Sequence, residues 1–255
     1  MIPKIIHYCW FGRNPKSKDV LKCIASWKKY LPDYEIKEWN EDNYDVTKSQ
    51  YMADAYKEKK WAFVSDYCRI DVVYQYGGIY LDTDVEVIRS FNPLLKEKMF
   101  CGFESRDLKQ QRIWKMDLEQ SVAFGLGFGA EQCHPVLKQM LELYEMLHFY
   151  NDDGTLNLLS CPVYQTQILV KNGLKQDGKT QTFIGGKAFS AEYFCPQSNL
   201  TEDMLFLTEK TYSVHHFSNS WTDSPVKNKL RKALASFLPF NIADKIASIL
   251  SFPFK

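Results

Sequence analysis

The chain has 255 residues, 45% hydrophobic and 25% charged, which suffices for one large domain with or without a small appendage. Lys and Arg number 32 against 31 Asp and Glu, a balance that gives no global electrostatic reason to expect nucleic acid as a partner. The seven cysteines are widely spaced with no C-x-x-C pair, which points to neither a zinc cluster nor a disulfide framework and predicts a reduced, intracellular protein.

The opening "MIPKIIHYCWFG" lacks the pattern of a signal peptide, because Lys4 interrupts a short apolar run. No segment approaches the roughly 20 apolar residues of a spanning helix. "KIIHYCW" reads as a first buried strand, and "GRNPKS" as a loop. From Asp19, the residues Val20, Leu21, Ile24 and Trp27 recur at helical spacing. Residues 33–39, "DYEIKEW", alternate as a second strand does. Residues 61–76 are helix-like and stop at Gly77 and Gly78. "IYLD" then reads as a third strand delivering Asp82, "MFCGF" as another, "HPVLKQMLELYEMLHFY" as an amphipathic helix and "TYSVHHF" as a late strand. The order β-α-β-α-β predicts an α/β domain with a mainly parallel sheet. Composition changes after Pro225, so 1–225 and 226–255 are read as a main domain and a small appendage.

The stretch "GGIYLDTDVEV" holds the chemistry. On an extended strand Asp82 and Asp84 face one way and Thr83 the other. Two carboxylates that close repel unless a positive charge lies between them. A hard divalent ion such as Mg²⁺ or Mn²⁺ meets that need, taking one or two carboxylates and completing its shell with water and phosphate oxygens. A bare D-x-D is weak evidence, since two solvated loop acids also satisfy it. The context strengthens it: a strand entry, a glycine pair, and an upstream helix with Asp66 and Arg69 three residues apart on one face. A charged pair on so apolar a helix is costly, which favours a purpose over a solvated surface pair.

Taken together, "IPKIIHYCWFG", "SWKKYLPDYEIKEWNEDN", "AFVSDYCRIDVVYQYGGIYLDTDVEV", "GLGFGAEQCHP" and "HHFSNSW" resemble the DXD-containing sugar transferases of glycosyltransferase family 32. The resemblance covers most of residues 1–223 and extends to the glucosylating domain of large clostridial toxins. It implies a GT-A fold, a Rossmann-like mixed, mainly parallel sheet with flanking helices and a helical C-terminal appendage. It also implies a nucleotide-sugar donor, Mn²⁺ (or Mg²⁺), and retention of anomeric configuration. Asp82 and Asp84 match the DXD acids. Asp66 and Arg69 match a pair contacting the donor sugar and its phosphate, Tyr80 a tyrosine beside the nucleotide, and Trp10 a tryptophan stacked on the base. Ser220 and Trp221 match a loop that closes over the diphosphate. Related enzymes place a third metal ligand on the late strand, where alternation puts His215 and His216 on opposite faces. In those relatives the histidine precedes an aromatic residue, which favours His216. The expected metal set is therefore Asp82, Asp84 and His216.

One segment departs from the pattern. Retaining GT-A enzymes often carry an asparagine before the glycines, whereas "SVAFGLGFG" has Ala123 and Phe124. Its Gly125, Gly127 and Gly129 would let backbone approach a sugar. "CPVYQTQ" reads as a loop offering Tyr164, Gln165 and Gln167 to a sugar. A double displacement would need a nucleophilic carboxylate, for which Glu104, Asp117 and Glu119 are the nearest along the chain.

The expected reaction is transfer of a hexose, with galactose or glucose from a UDP-sugar favoured, in capsule or surface polysaccharide synthesis. The acceptor would be a glycan or a polyprenyl-lipid-linked saccharide. Two other readings stand beside it, a GDP-mannose-dependent mannosyltransferase and a non-catalytic nucleotide-sugar-binding protein. In 226–255, Lys227, Lys229, Arg231 and Lys232 precede an apolar helical pattern. That suggests peripheral contact with the inner face of the cytoplasmic membrane or, equally, a helix pair docked on the domain.

Overall fold

The structure, a computed structural model, describes residues 1–105, 120–196 and 207–218. Strand β1 (Ile5–Cys9) pairs in parallel with β2 (Glu35–Trp39) on one side and β3 (Gly78–Tyr80) on the other. Between β1 and β2 runs helix α1 (Lys18–Tyr30). The Ser17 hydroxyl opens it by accepting from the Val20 N–H at 3.3 Å, and Lys28 and Lys29 sit in its last turn, where cations favour the helix dipole. It buries Cys23, Ile24 and Trp27, and the Trp27 indole donates to the Val85 carbonyl at 2.8 Å. That bond ties the helix to the segment just beyond the paired aspartates.

Helices α2 (Gln50–Lys57) and α3 (Trp61–Tyr76) follow. Helix α3 is buried along most of its length, from Phe63 to Val73, because it lies between the sheet and the helices that pack outside it. It ends where the sequence predicts. The Gly77 N–H caps the Val73 carbonyl at 2.8 Å with Gly77 at φ 63°, and Gly78 follows at φ 106°. A Cβ on Gly78 would lie 2.8 Å from the Ile5 carbonyl oxygen, so the pair also lets β3 approach β1 closely.

Strands β4 (Val85–Val87), β5 (Met99–Gly102) and β6 (Phe128–Ala130) come next, then helices α4 (Pro135–Met146) and α5 (Cys161–Lys171). Strands β7 (Gln181–Phe183), β8 (Gly186–Phe189) and β9 (Ser213–His215) complete the described elements. The main sheet has the order β2-β1-β3-β6-β5-β8-β7, and β4 pairs with β9 in a separate two-stranded sheet. The sheet is mixed. Its β2-β1-β3 half and the β5-β8 pair are parallel, while β6 runs against both neighbours and β7 against β8. One core, with Tyr51, Val64, Cys68, Leu137 and Tyr144, lies on the α2–α5 side; the other packs Trp27, Leu31, Phe91, Phe100 and Phe194.

Two expectations need correction here, and one element finds its place. Strand β3 stops at Tyr80, and Asp82 and Asp84 lie on a turn rather than on an extended strand. The late strand is present and pairs with β4 in the small sheet. "CPVYQTQ" begins helix α5 rather than forming a loop, with Pro162 in its first turn, a position that does not need its missing N–H. The appendage, residues 226–255, lies outside the described residues, as do Ser220, Trp221, Asp117 and Glu119.

Candidate functional site

The turn after β3 builds the site. The Leu81 N–H donates to the His7 carbonyl, continuing the β1–β3 pairing for one residue. The chain then bends, and the Val85 N–H returns to the Asp82 carbonyl at 3.0 Å. The two carboxylates thus converge because of a turn, not because of strand alternation. Both lie at the carboxyl end of β3, the edge where open α/β sheets bind ligands.

Asp82 is held from behind. Its Oδ1 accepts from the Tyr80 hydroxyl at 2.9 Å and lies 3.3 Å from Arg69 Nη2. The same Arg69 nitrogen lies 3.1 Å from Asp66 Oδ1, and the guanidinium sits 4.9 Å from the centre of the Tyr80 ring. Helix α3 therefore presents Asp66 and Arg69 on the face the i, i+3 spacing predicts, and Arg69 bridges the two acids. Tyr80 is fully buried beneath Asp82 and acts as its support.

The third partner is His215. Its Nε2 lies 3.2 Å from Asp84 Oδ1 and 3.8 Å from Asp82 Oδ2, and ligand atoms of all three residues fall within 4.8 Å of one another. The expected His216 turns away: its Nε2 lies 3.0 Å from Glu86 Oε2 and the ring is exposed. Alternation separates the two rings as the sequence predicts. The side that faces the aspartates is set by the β4–β9 register, which pairs His215 with Val85, the residue after Asp84. The sequence reading also missed Ser218, whose N–H and hydroxyl both donate to Asp84 Oδ2 at 2.9 Å. The "HHFSNSW" motif was the available signal, but it directed attention to Ser220.

Of two further segments expected at the site, the one holding Gly125 meets this cluster directly, and the one holding Trp10 forms a cleft of its own. Trp10, just beyond β1, lines a shallow cleft of about 250 Å³ with Arg13, Asn14, Glu38 and Asp42. The Trp10 indole donates to the Asn14 carbonyl at 2.7 Å, and the Lys16 ammonium sits 5.4 Å from the centre of the ring system. On the other side the Asp82 N–H donates to the Gly125 carbonyl at 3.2 Å. A Cβ on Gly125 would stand 2.1 Å from Asp82 Oδ2 and 3.2 Å from Arg69 Nη1. Gly125 is absent from the expected site residues except as a place of close approach; what approaches is the Asp82 carboxylate itself. Gln165 and Tyr164 of α5 are buried and Gln167 is exposed.

The charges are unequal. Burial favours the neutral form of Asp82, but Arg69, His215 and the Tyr80 hydroxyl overcome it and hold the carboxyl at about 2. Burial disfavours a charged His215, yet Asp84 and Asp82 raise its proton affinity above the ordinary value. Asp66 goes the other way. Burial pushes it up to about 6 against the opposing Arg69 and Cys161, with Asp82 adding to the rise.

The Asp66 shift has a measurable consequence. A carboxyl whose folded pKa is raised stabilises the fold fully below its unfolded value near 4, and that contribution is lost as pH rises through about 6. Asp66→Asn removes the titration. It is expected to match the wild type near pH 4 and to exceed it at pH 7 by on the order of 2–3 kcal/mol, about two pKa units at ~1.36 kcal/mol each. Denaturant midpoints at the two pH values measure this; a variant less stable at pH 7 would show that the Arg69 pairing dominates.

Comparison with known proteins places part of the chain beside a described family. Residues 17–101 match the family described as the glycosyltransferase sugar-binding region containing DXD motif. The chain is 33% identical over 106 residues to inositol phosphoceramide mannosyltransferase 3 of Schizosaccharomyces pombe, covering 37% of this chain and 27% of that one. It is 25% identical over 150 residues to inositol phosphoceramide mannosyltransferase 1 of the same yeast, covering 55% and 42%. The solved PaToxG glycosyltransferase matches with a TM-score of 0.50 at 19% identity, over 67% of this chain and 69% of that one. The chain thus spans less than half the length of the two yeast relatives. The expected resemblance to DXD glycosyltransferases stands, and the α/β fold is of the GT-A type.

Proposed function

We propose that the chain is a metal-dependent glycosyltransferase that moves a hexose from a nucleotide-sugar to a hydroxyl of a glycan or lipid-linked acceptor. The observation that carries the reading is the convergence of Asp82, Asp84 and His215 at the carboxyl end of β3, with Arg69 behind them. Two carboxylates and an imidazole suit a divalent ion of the Mn²⁺ or Mg²⁺ kind. Held there, such an ion would supply Lewis-acid charge to the leaving diphosphate.

The chain's own residues do the rest. Arg69 is a fixed, buried cation whose position costs no reorganisation when negative charge develops nearby. Asp66 offers carboxylate oxygens to sugar hydroxyls. Tyr80 and Gly125 keep the Asp82 carboxylate in place. The Trp10 cleft offers an aromatic face to a nucleobase, with Glu38 and Asn40 on its polar rim. Same-face transfer, in which a diphosphate oxygen takes the acceptor proton, gives retention without a nucleophilic carboxylate. UDP-glucose and UDP-galactose are the favoured donors. A mannose donor is the second reading, because both named relatives are mannosyltransferases.

The test is release of sugar from a panel of UDP- and GDP-sugars with Mn²⁺, with and without a chelator. Metal-dependent release from one donor is expected, and it names the sugar. Calorimetric titration of the same donors follows if release needs an acceptor; the absence of both release and binding would sink the reading. Within this assay His215→Ala is expected to weaken Mn²⁺ binding by roughly 10-fold or more, whereas His216→Ala leaves it within about twofold. Equal effects of the two substitutions would remove His215 from the metal site.

A further inference from the structure

We propose that Gln165 recognises the transferred sugar, donating a hydrogen bond from its side-chain amide to an oxygen of that sugar. This rests on the glycosyltransferase reading and assigns a residue to its sugar subsite. Gln165 is 1% exposed and lies on helix α5. Its Oε1 accepts from the Phe124 N–H at 2.9 Å. That bond settles which end of the amide is which, because a backbone N–H needs an oxygen opposite it. The other end, Nε2, is therefore a pair of N–H donors, buried and without a hydrogen-bond partner among the described residues. Buried amides in folded proteins are nearly always paired, so one left open calls for an explanation.

Position supplies it. Phe124 precedes Gly125, whose missing side chain leaves room for Asp82 Oδ2 and Arg69 Nη1. One helical turn before Gln165, on the same face, the Cys161 thiol hydrogen-bonds Asp66. Residues 161 and 165 of α5 therefore flank the row Asp66–Arg69–Asp82. The neighbouring Thr166 fixes the strap again, its hydroxyl accepting from the Val122 N–H at 2.9 Å. The amide is thus immobilised beside the site, and its free end offers donors where Asp66 offers acceptors. A polyhydroxyl ring presents both to a site, and complementary donors and acceptors fix its orientation. Asp66, which pairs with Cys161, meets the metal-binding trio through Arg69 Nη2, which contacts Asp66 and Asp82 alike, and its place beside Gln165 favours the sugar over the diphosphate as the acceptor of this bond.

Gln165→Glu isolates the claim, because it keeps the oxygen that holds Phe124 and loses the donor. The probes are UDP, GDP, UDP-glucose, UDP-galactose and GDP-mannose, each titrated with Mn²⁺ into the full chain. Expected is a loss of roughly tenfold or more in affinity for the nucleotide-sugar that the wild type binds, with its nucleoside diphosphate unchanged. Gln165→Met serves as a second variant of similar size, and it is expected to lower the same ratio. Unchanged nucleotide-sugar affinity in both variants overturns the proposal. An equal loss for nucleotide and nucleotide-sugar overturns the sugar assignment in favour of the diphosphate. A wild type that binds none of the five probes overturns the transferase reading itself, and this proposal with it.

Discussion

Asp84→Asn is expected to lower donor turnover by about 10³-fold while leaving the fold intact. Asp84 Oδ1 faces His215 and Oδ2 takes two hydrogen bonds from Ser218. Asparagine has the same shape but no charge, and one oxygen becomes a donor. If the amide nitrogen faces Ser218, two donors meet a third. If it faces the ion, the ligand is lost outright. In the proposed reaction an ion held by Asp84 would supply several kcal/mol of charge stabilisation to the diphosphate, and at ~1.36 kcal/mol per tenfold this amounts to about three decades. Mn²⁺ titration should show weakened binding, with the free energy of unfolding changed by no more than about 1 kcal/mol, since Asp84 is partly exposed and outside both cores. Turnover within a few-fold of wild type would remove Asp84 from the reaction.

Gly125→Ala is expected to cost turnover by roughly 10²-fold or more from a single added methyl group. The backbone at Gly125 is not in the left-handed region, so an L side chain is tolerated there in principle. The obstacle is the Asp82 carboxylate, 2.1 Å from the new Cβ, with Arg69 Nη1 at 3.2 Å. Either the carboxylate rotates, losing the Tyr80 hydroxyl and Arg69, or the 123–127 segment moves and breaks the Asp82 N–H bond to the Gly125 carbonyl. A misplacement of about 1 Å at a reacting centre is enough for such a loss. Overpacking costs ~1–3 kcal/mol of stability as well. Kinetics and a melting curve on one preparation measure both. Full activity with unchanged stability would mean that Asp82 has freedom its neighbours do not suggest.

What the sequence determined by itself is local. The glycine pair at 77 and 78 ends α3, because only residues at ease with positive φ can turn the chain there. The i, i+3 spacing of Asp66 and Arg69 puts them on one helix face, and the apolar runs of β1 and β5 mark buried strands. The D-x-D spacing, the family resemblance and the α/β class followed from these. Tertiary structure decided everything that depended on distant segments meeting. Asp82 and Asp84 converge through a turn. His215 rather than His216 faces the two aspartates because the register of β9 on β4 is fixed by pairing across more than a hundred residues, and a shift of one residue would exchange the two rings. Helix α5 was hidden in a short stretch rich in polar residues, whose burial comes from packing against α4 and residues 122–124. Gly125 matters through a carboxylate 43 positions earlier in the chain. Spacing along a chain reports which side chains share a face, whereas which faces meet is set by long-range packing and pairing that no local pattern encodes.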